Sequence, residues 1–322
     1  MKSAFLIMVR RGGLCVRLAA AGILLASLAA SVALGEEPAK RVEPIRIGLA
    51  SSVTRDTPEA AVQILLEPFA DLMESLTGIT GQVVLGGDVH TLTQRLKGNQ
   101  FQLCIFQGVE FAWAQQECPE LKPLMIAVNK RRHVQASVVV RSDSKATTWE
   151  DLRHKSVALP RHSLEHCHLF LQRCCREHGQ DADHFCAQVV TPPGVELALD
   201  DVVRGKVQAA VVDVVGLEAY QREKPGCYER LKRIKVSELF PAAVVVYYPD
   251  RLSDAVLARF KDGMARAKET AVGRQLMAAV HWTGFEPVPA DYQKTLTEIL
   301  KAYPPPTPAE RTVGRQGSAN AH

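Results

Sequence analysis

The sequence predicts an α/β protein with mostly parallel sheets flanked by helices. Three observations carry that expectation. Short apolar runs of strand length alternate with helical patterns from Ile45 to Ala302, the rhythm of βαβ units. The composition, 47% hydrophobic and 23% charged over 322 residues, is that of a globular chain with enough apolar material for one large domain or two medium ones. The formal net charge of +4 is confined to one end: Lys2, Arg10, Arg11 and Arg17 lie within residues 1–35, which hold no Asp or Glu. Setting those four aside from the 39 Lys and Arg leaves a number equal to the 35 Asp and Glu. A neutral body excludes a general electrostatic grip on nucleic acid or an anionic membrane.

In chain order, residues 1–35 read as an export signal. A basic stretch ends at Arg17, an uncharged run spans Leu18–Leu34, and Ala33-Leu34-Gly35 offers small residues for cleavage after Gly35. A retained anchor is the other reading of the same segment. Ile45–Ala50 is a strand, followed by the polar loop Ser51–Asp56. Thr57 can cap a helix with Pro58 in its first turn, Gly78 can close it, and Pro68 should kink or split it. Gln82–Leu85 is a strand, and Asp88 caps a helix ending near Gly98. Phe101–Phe106 is a strand, followed by a short helix from Gly108. Leu121–Val128 and Ser137–Arg141 are strands.

The second half repeats the theme. Thr148–Arg153 is a short helix, Ser156–Leu159 a strand, Ser163 to His178 a helix and Gln188–Val190 a strand. Val195–Arg204 is a helix, and Val207–Val212 a strand ended by Asp213. Leu217–Glu223 is helical, Ala242–Tyr247 a strand, Ser253–Thr270 a long helix and Asp291–Ala302 the last one. From Pro304 the composition turns to Pro, Gly, Ser and Arg, read as a disordered tail over 304–322.

Several strand-to-helix junctions are polar: Ser51–Asp56, Gln107–Glu110, Arg161–His166 and Asp213. Ligands of open α/β sheets gather at such carboxyl ends, although Ser and Thr before a helix also serve as plain caps. Residues 162–186 concentrate His162, His166, Cys167, His168, Cys174, Cys175, His178, His184 and Cys186. His162 and His166 share a helical spacing and, with Glu165 or His168, could ligate a divalent metal. The cysteines equally fit the buried stripe of a helix, a disulfide to Cys186, or a thiol nucleophile. Seven cysteines follow the export segment, an odd number, so at least one is unpaired within the chain.

Particular stretches resemble a known family. They are Ile45–Ala50 with Leu66-Glu67-Pro68-Phe69-Ala70-Asp71-Leu72 and Thr77-Gly78; Leu92–Gly98 with Phe101–Phe106 and Gly108; Ser137–Ser144 with Trp149–Leu152 and Ser156–Ala158; Val203–Asp213; and Thr283–Val288 with Asp291-Tyr292. In order and spacing they resemble the periplasmic phosphate/phosphite/phosphonate-binding proteins of ABC importers. The resemblance implies a bilobed type II periplasmic-binding fold with a central cleft. Lobe 1 would comprise 44–134 plus 238–303, lobe 2 would comprise 136–235, and two crossovers would join them. It implies a monomer that binds a small oxyanion, catalyses nothing, needs no cofactor and serves an inner-membrane permease.

The implied ligand-binding residues are Ser51, Ser52, Thr54, Gln107, Gly108, Glu110, Ser163, Glu165, His166 and Asp213, with His162, His166 and His168 as candidate metal ligands. The sequence departs from the family where a Ser-Thr-Ser-Gly turn normally opens a helix. Here stands Ser163-Leu164-Glu165-His166-Cys167, and Glu196 lies near another site position. A carboxylate there disfavours a dianion unless it is bridged or protonated. A sensory or accessory binding module, and a metal-dependent or thiol enzyme built on the Cys/His cluster, remain alternatives at this level.

Overall fold

The computed structural model describes residues 44–55 and 59–307. The segment read as an export signal, Asp56, the expected Thr57 cap with Pro58, and the tail beyond Thr307 lie outside the described residues.

In chain order the elements are β1 (Ile45–Ala50), a 3-10 turn (Ser51–Thr54), α1 (Glu59–Thr77), β2 (Gly81–Gly87), α2 (Val89–Lys97), β3 (Leu103–Phe106), α3 (Gly108–Glu117), β4 (Lys122–Val128), β5 (His133–Val134) and β6 (Ala136–Arg141). Then come a 3-10 turn (Glu150–Leu152), β7 (Ser156–Ala158), α4 (Glu165–Arg176), α5 (Ala182–Phe185), β8 (Gln188–Val190), α6 (Val195–Val203), β9 (Ala209–Asp213), α7 (Val214–Glu223), α8 (Pro225–Tyr228) and β10 (Leu231–Val236). The chain ends with β11 (Phe240–Pro241), β12 (Ala243–Tyr247), α9 (Asp254–Ala265), a 3-10 turn (Ala267–Glu269), α10 (Ala271–Ala279), β13 (Gly284–Glu286) and α11 (Tyr292–Ala302).

Two main sheets result, a six-stranded one in the order β13-β4-β12-β3-β1-β2 and a five-stranded one in the order β10-β6-β9-β7-β8. The expectation of mostly parallel sheets needs correction, because both are mixed. β1 runs parallel to β2 and β3, and β7 parallel to β8 and β9, each pair joined by a helix. β12 lies antiparallel to β3 and β4, β13 to β4, and β6 to β9 and β10. β4, β6, β10 and β12 flank the crossovers, where the chain changes sheet instead of winding through a helix, while β13 joins the edge of the first sheet after α10. A second correction concerns Pro68: α1 continues through it as a single helix. The long helix read over Ser253–Thr270 is α9 followed by a 3-10 turn, and α10 begins separately after Thr270, whose hydroxyl caps it.

The second sheet shows why its strands read as unbroken apolar runs. Successive side chains point to opposite faces, and both faces are covered. Val138 and Val140 pack with Cys167, Phe170 and Phe185 on the face of α4 and α5. Val139 and Ala210 pack with Leu199, Leu217 and Tyr220 on the face of α6 and α7. Each fully buried Val contributes on the order of 2 kcal/mol by leaving water. The first sheet has its own larger core around Ile47, Leu103, Phe106 and Val245.

The two crossovers meet each other. β5 and β11 pair antiparallel, Val134 opposite Phe240. Beyond them the Ala136 amide donates to the Ser237 hydroxyl at 2.9 Å and the Gln135 side-chain amide to the Ser237 carbonyl at 2.9 Å. The first turn of α3 rests on this ribbon. A Cβ on Gly108 would sit 2.3 Å from the Pro241 carbonyl oxygen, so only glycine allows that approach.

Candidate functional site

A cleft of about 520 Å³ opens where the carboxyl ends of strands from both sheets converge. Ser52, Val53, Arg55, Ala279 and His281 line it from the side of the first sheet, and residues 160–164 with 193–195 line it from the second. On the second side two helices begin at its wall. α4 follows Leu164 and α6 follows Gly194, and neither cap residue supplies a side-chain acceptor. Helix starts leave N–H groups without intrahelical partners and carry partial positive charge. Here no side chain caps either start, and Leu164, Gly194 and Val195 line the cleft.

Basic side chains, two of them arginines, add to this. Arg55, Arg161, His162 and His281 all border the cavity, and among the described residues no Asp or Glu lines it. Arg55 pairs with Glu165, the first residue of α4, so one ion pair links the first-sheet side to the second. The His162 Nδ1 lies 3.4 Å from the Arg55 carbonyl oxygen. His162 and His281 both hold left-handed backbone conformations, φ 61° and 58°. Non-glycine residues adopt these uncommonly, and often beside ligand sites. Burial lowers the pKa of His281; Asp213 opposes that shift and His162 adds to it. His281 is therefore neutral at pH 7, while the two arginines carry fixed charge.

Behind the wall, two other helices start on carboxylates that close them. At α3, Glu110 Oε2 accepts the Gln107 amide at 3.0 Å and the Ser52 hydroxyl at 2.8 Å. Burial, reinforced by the charge of Glu165, raises the Glu110 pKa to about 7, against the lowering effect of Ser52, the Gln107 amide and Arg55. At α7, Asp213 Oδ1 accepts the Val215 and Gly216 amides at 2.8 and 3.2 Å. Asp213 Oδ2 meets His166 Nε2 at 2.9 Å. Burial opposes the His166 cation, but Cys167 and the Asp213 carboxylate outweigh it and raise the pKa to about 10.

The residues expected from sequence separate accordingly. Ser52 and Ser163 border the cleft, but both hydroxyls are engaged inside the protein, Ser52 on Glu110 and Ser163 on the Pro160 carbonyl at 2.6 Å. Ser51 is exposed, and Thr54 faces a separate apolar pocket with Leu66 and Phe69. Gln107, Gly108 and Glu110 form the closed start of α3, while Glu165, His166 and Asp213 are held in pairs. His166 is committed to Asp213 and Glu165 to Arg55, and His168 stands two positions beyond His166 on α4, a spacing that turns it to another face. Among the described residues no group of three or more His, Cys, Asp or Glu is placed to hold a metal ion. Glu196 points elsewhere, 2.6 Å from Lys224.

The sequence reading named the junctions that hold Arg55 and Arg161 without singling those two out, and it missed Gly194 and His281 as cleft residues. Pro192-Pro193-Gly194 directly before an apolar helix was a readable signal for a helix start without a side-chain cap. His281 had none, since only the return of α10 to the cleft brings it there.

Comparison with known proteins agrees with this architecture. Residues 52–292 match the family model of periplasmic substrate-binding proteins of phosphonate ABC transporters. No curated protein matches the sequence. Among solved structures, a protein of Xanthomonas citri (XAC2383) bound to chloride is 17% identical, with a TM-score of 0.55 over 80% of this chain and 96% of that one. The same protein bound to ATP is 16% identical, with a TM-score of 0.53 over 80% and 96%. PhnD1 of Prochlorococcus marinus, in complex with methylphosphonate, is 11% identical, with a TM-score of 0.53 over 80% and 97%. These likenesses are of fold. The family match spans most of the chain: this protein belongs to the periplasmic substrate-binding proteins of the phosphonate ABC transporter family.

Proposed function

We propose that the protein is an exported receptor that captures a small oxyanion of the phosphonate or phosphate class in the cleft between its two sheets and presents it to an inner-membrane permease. The observation that carries this reading is the make-up of the cleft: two helix starts without a side-chain cap, two arginines and, among the described residues, no lining carboxylate. Such a site favours an anion through backbone N–H donors and through guanidinium groups that hold phosphonate oxygens in pairs. The family supplies the transport role, and the ligands of the Xanthomonas and Prochlorococcus proteins are likewise anions. Glu165 fits the reading as the internal partner of Arg55. An arriving oxyanion competes with that carboxylate for the guanidinium, which sharpens discrimination between ligands that can replace it and ligands that cannot. The crossed segments at Gln135–Ala136 and Ser237 serve as the hinge, and two connections restrict the motion to closure over the cleft.

A thermal-shift series tests the reading on the whole exported protein. Phosphate, methylphosphonate and methanesulfonate are each titrated, because a ligand that binds the folded state raises its melting temperature with concentration. The expected result is a saturable rise with at least one oxyanion and its loss in Arg55→Ala. A rise with amines and none with any oxyanion would reject the reading.

A further inference from the structure

The Cys-rich segment of the second sheet is not used by the ligand site, and the thiols of the described residues fall into two kinds. Most contact something other than sulfur. Cys104 meets the backbone of Gly48, Cys118 meets Glu120, Cys167 meets His166, Cys174 meets Lys235 and Cys227 meets Tyr220. Cys175 and Cys186, both free thiols in the structure, instead have each other as partner, the thiol-to-thiol pairing found among the described residues. Both are buried in one apolar cluster with Trp149, Phe170 and Phe185, at 0% and 3% exposure. The chain between them turns back tightly. The His178 and Gln180 amides return to the Cys175 carbonyl at 3.0 and 3.3 Å, and the Cys186 amide caps α5 on Ala182. Neighbouring contacts fix both ends, with Phe185 stacked on Trp149 at 5.3 Å between ring centroids and His178 held by Glu150 at 2.5 Å.

We propose that Cys175 and Cys186 form a structural disulfide as the chain folds in the oxidising compartment that its family occupies. Two S–H bonds break and one S–S bond forms. The two electrons and two protons pass to a disulfide oxidant by exchange through a mixed disulfide, and the oxidant leaves as its dithiol. Seven cysteines among the described residues then reduce to one bonded pair and five thiols held by other partners. The bond has a structural consequence for the cleft. Cys175 lies in the last turn of α4, whose first turn is one open helix start. Cys186 precedes β8, which leads directly to Gly194 and the start of α6, the other one. The cross-link therefore ties together, at their far ends, the two elements whose near ends wall the cleft, and it shortens the unfolded chain's freedom between them.

The test is mass spectrometry of the full exported protein, recovered under non-reducing conditions and alkylated after denaturation, with a parallel sample refolded in oxidised and reduced glutathione. The expected result is a cross-linked peptide pair joining Cys175 to Cys186, with the other thiols alkylated. Reduction should lower the melting temperature by several degrees, and that difference should vanish in Cys175→Ser and in Cys186→Ser alike. Should either variant fail to fold, the peptide map of the unaltered protein decides by itself. Alkylation of both cysteines in the oxidised protein, a cross-link to any other cysteine, or a redox-dependent shift that persists in the variants would overturn the proposal.

Discussion

The starts of α4 and α6 differ from the starts of α3 and α7, although all four follow strands that end on the same side of their sheets. At α3 and α7 a carboxylate of the chain itself binds amides at the start: Glu110 takes that of the cap residue Gln107, and Asp213 takes those of Val215 and Gly216. At α4 and α6 the cap residues are Leu164 and Gly194, with nothing to offer, and the cleft lies in front of them. The acids read from sequence as ligand contacts, Glu110 and Asp213, bind amides at the starts of helices, while at α4 and α6 no side chain caps the start that borders the cleft. A polar residue at a strand end thus has two opposite meanings. What decides between them is whether its own backbone neighbours consume it.

The largest expected effect breaks the closed side. Asp213 both caps α7 and balances a buried His166, whose side chain is 4% exposed. Asp213→Ala should cost about 3–5 kcal/mol of stability, read as a drop in denaturation midpoint, because it strands a buried cation and uncaps a helix. The loss has a pH signature. Because the His166 pKa is raised to about 10, its contribution is complete below the ordinary value of 6.5 and fades as pH rises towards 10. The variant should therefore differ from the native protein more at pH 6 than at pH 9.5. A melting temperature unchanged beside a collapse of affinity would show that Asp213 belongs with the open side after all.

Next in size is Glu110. Its pKa, raised from 4.5 to about 7, means that the folded state holds a proton the unfolded state has released. Stability falls as pH rises between those values, by on the order of 3 kcal/mol, and stays lower above them. Glu110→Gln should keep the hydrogen bonding while flattening that slope, measurable as denaturation midpoints from pH 4.5 to 8. An unchanged slope would remove Glu110 as its source.

On the open side the expectations invert. Arg161→Ala should leave the melting temperature in place and weaken phosphonate binding by about 2 kcal/mol, the worth of a charged hydrogen bond. Equal affinity in the variant, read by calorimetry, would take Arg161 out of the site. The smallest effect is expected for Ser163→Ala. Its hydroxyl is already given to the Pro160 carbonyl at 2.6 Å, so affinity should change by no more than about 0.5 kcal/mol. A larger loss would mean that the hydroxyl turns to the ligand.

Much of the fold was legible because its signals are local. Asp88 before α2 caps it through the Thr91 amide at 2.8 Å, as its position suggested. The apolar run ending in Asp213 is a central strand buried on both faces. The family resemblance rested on segments of this kind. The antiparallel partners were harder to see. β10, Leu231–Val236, alternates Lys and Arg with apolar residues and lies at a sheet edge, so its polarity hid it. The site was legible in place but not in role. The junctions at Ser51–Arg55 and Arg161–Leu164 do meet at the cleft. That Glu110 and Asp213 face inward follows from hydrogen bonds to backbone amides and to His166, 47 residues away, which no spacing rule reports.

The most direct measurement of the account is a calorimetric titration of the full protein with methylphosphonate and, separately, with methylammonium, at low and at high salt. The expected result is saturable binding of the anion, weaker at high salt because the cleft attracts it through fixed positive groups, and no heat from the amine. Binding of methylammonium with none of methylphosphonate or phosphate would contradict it.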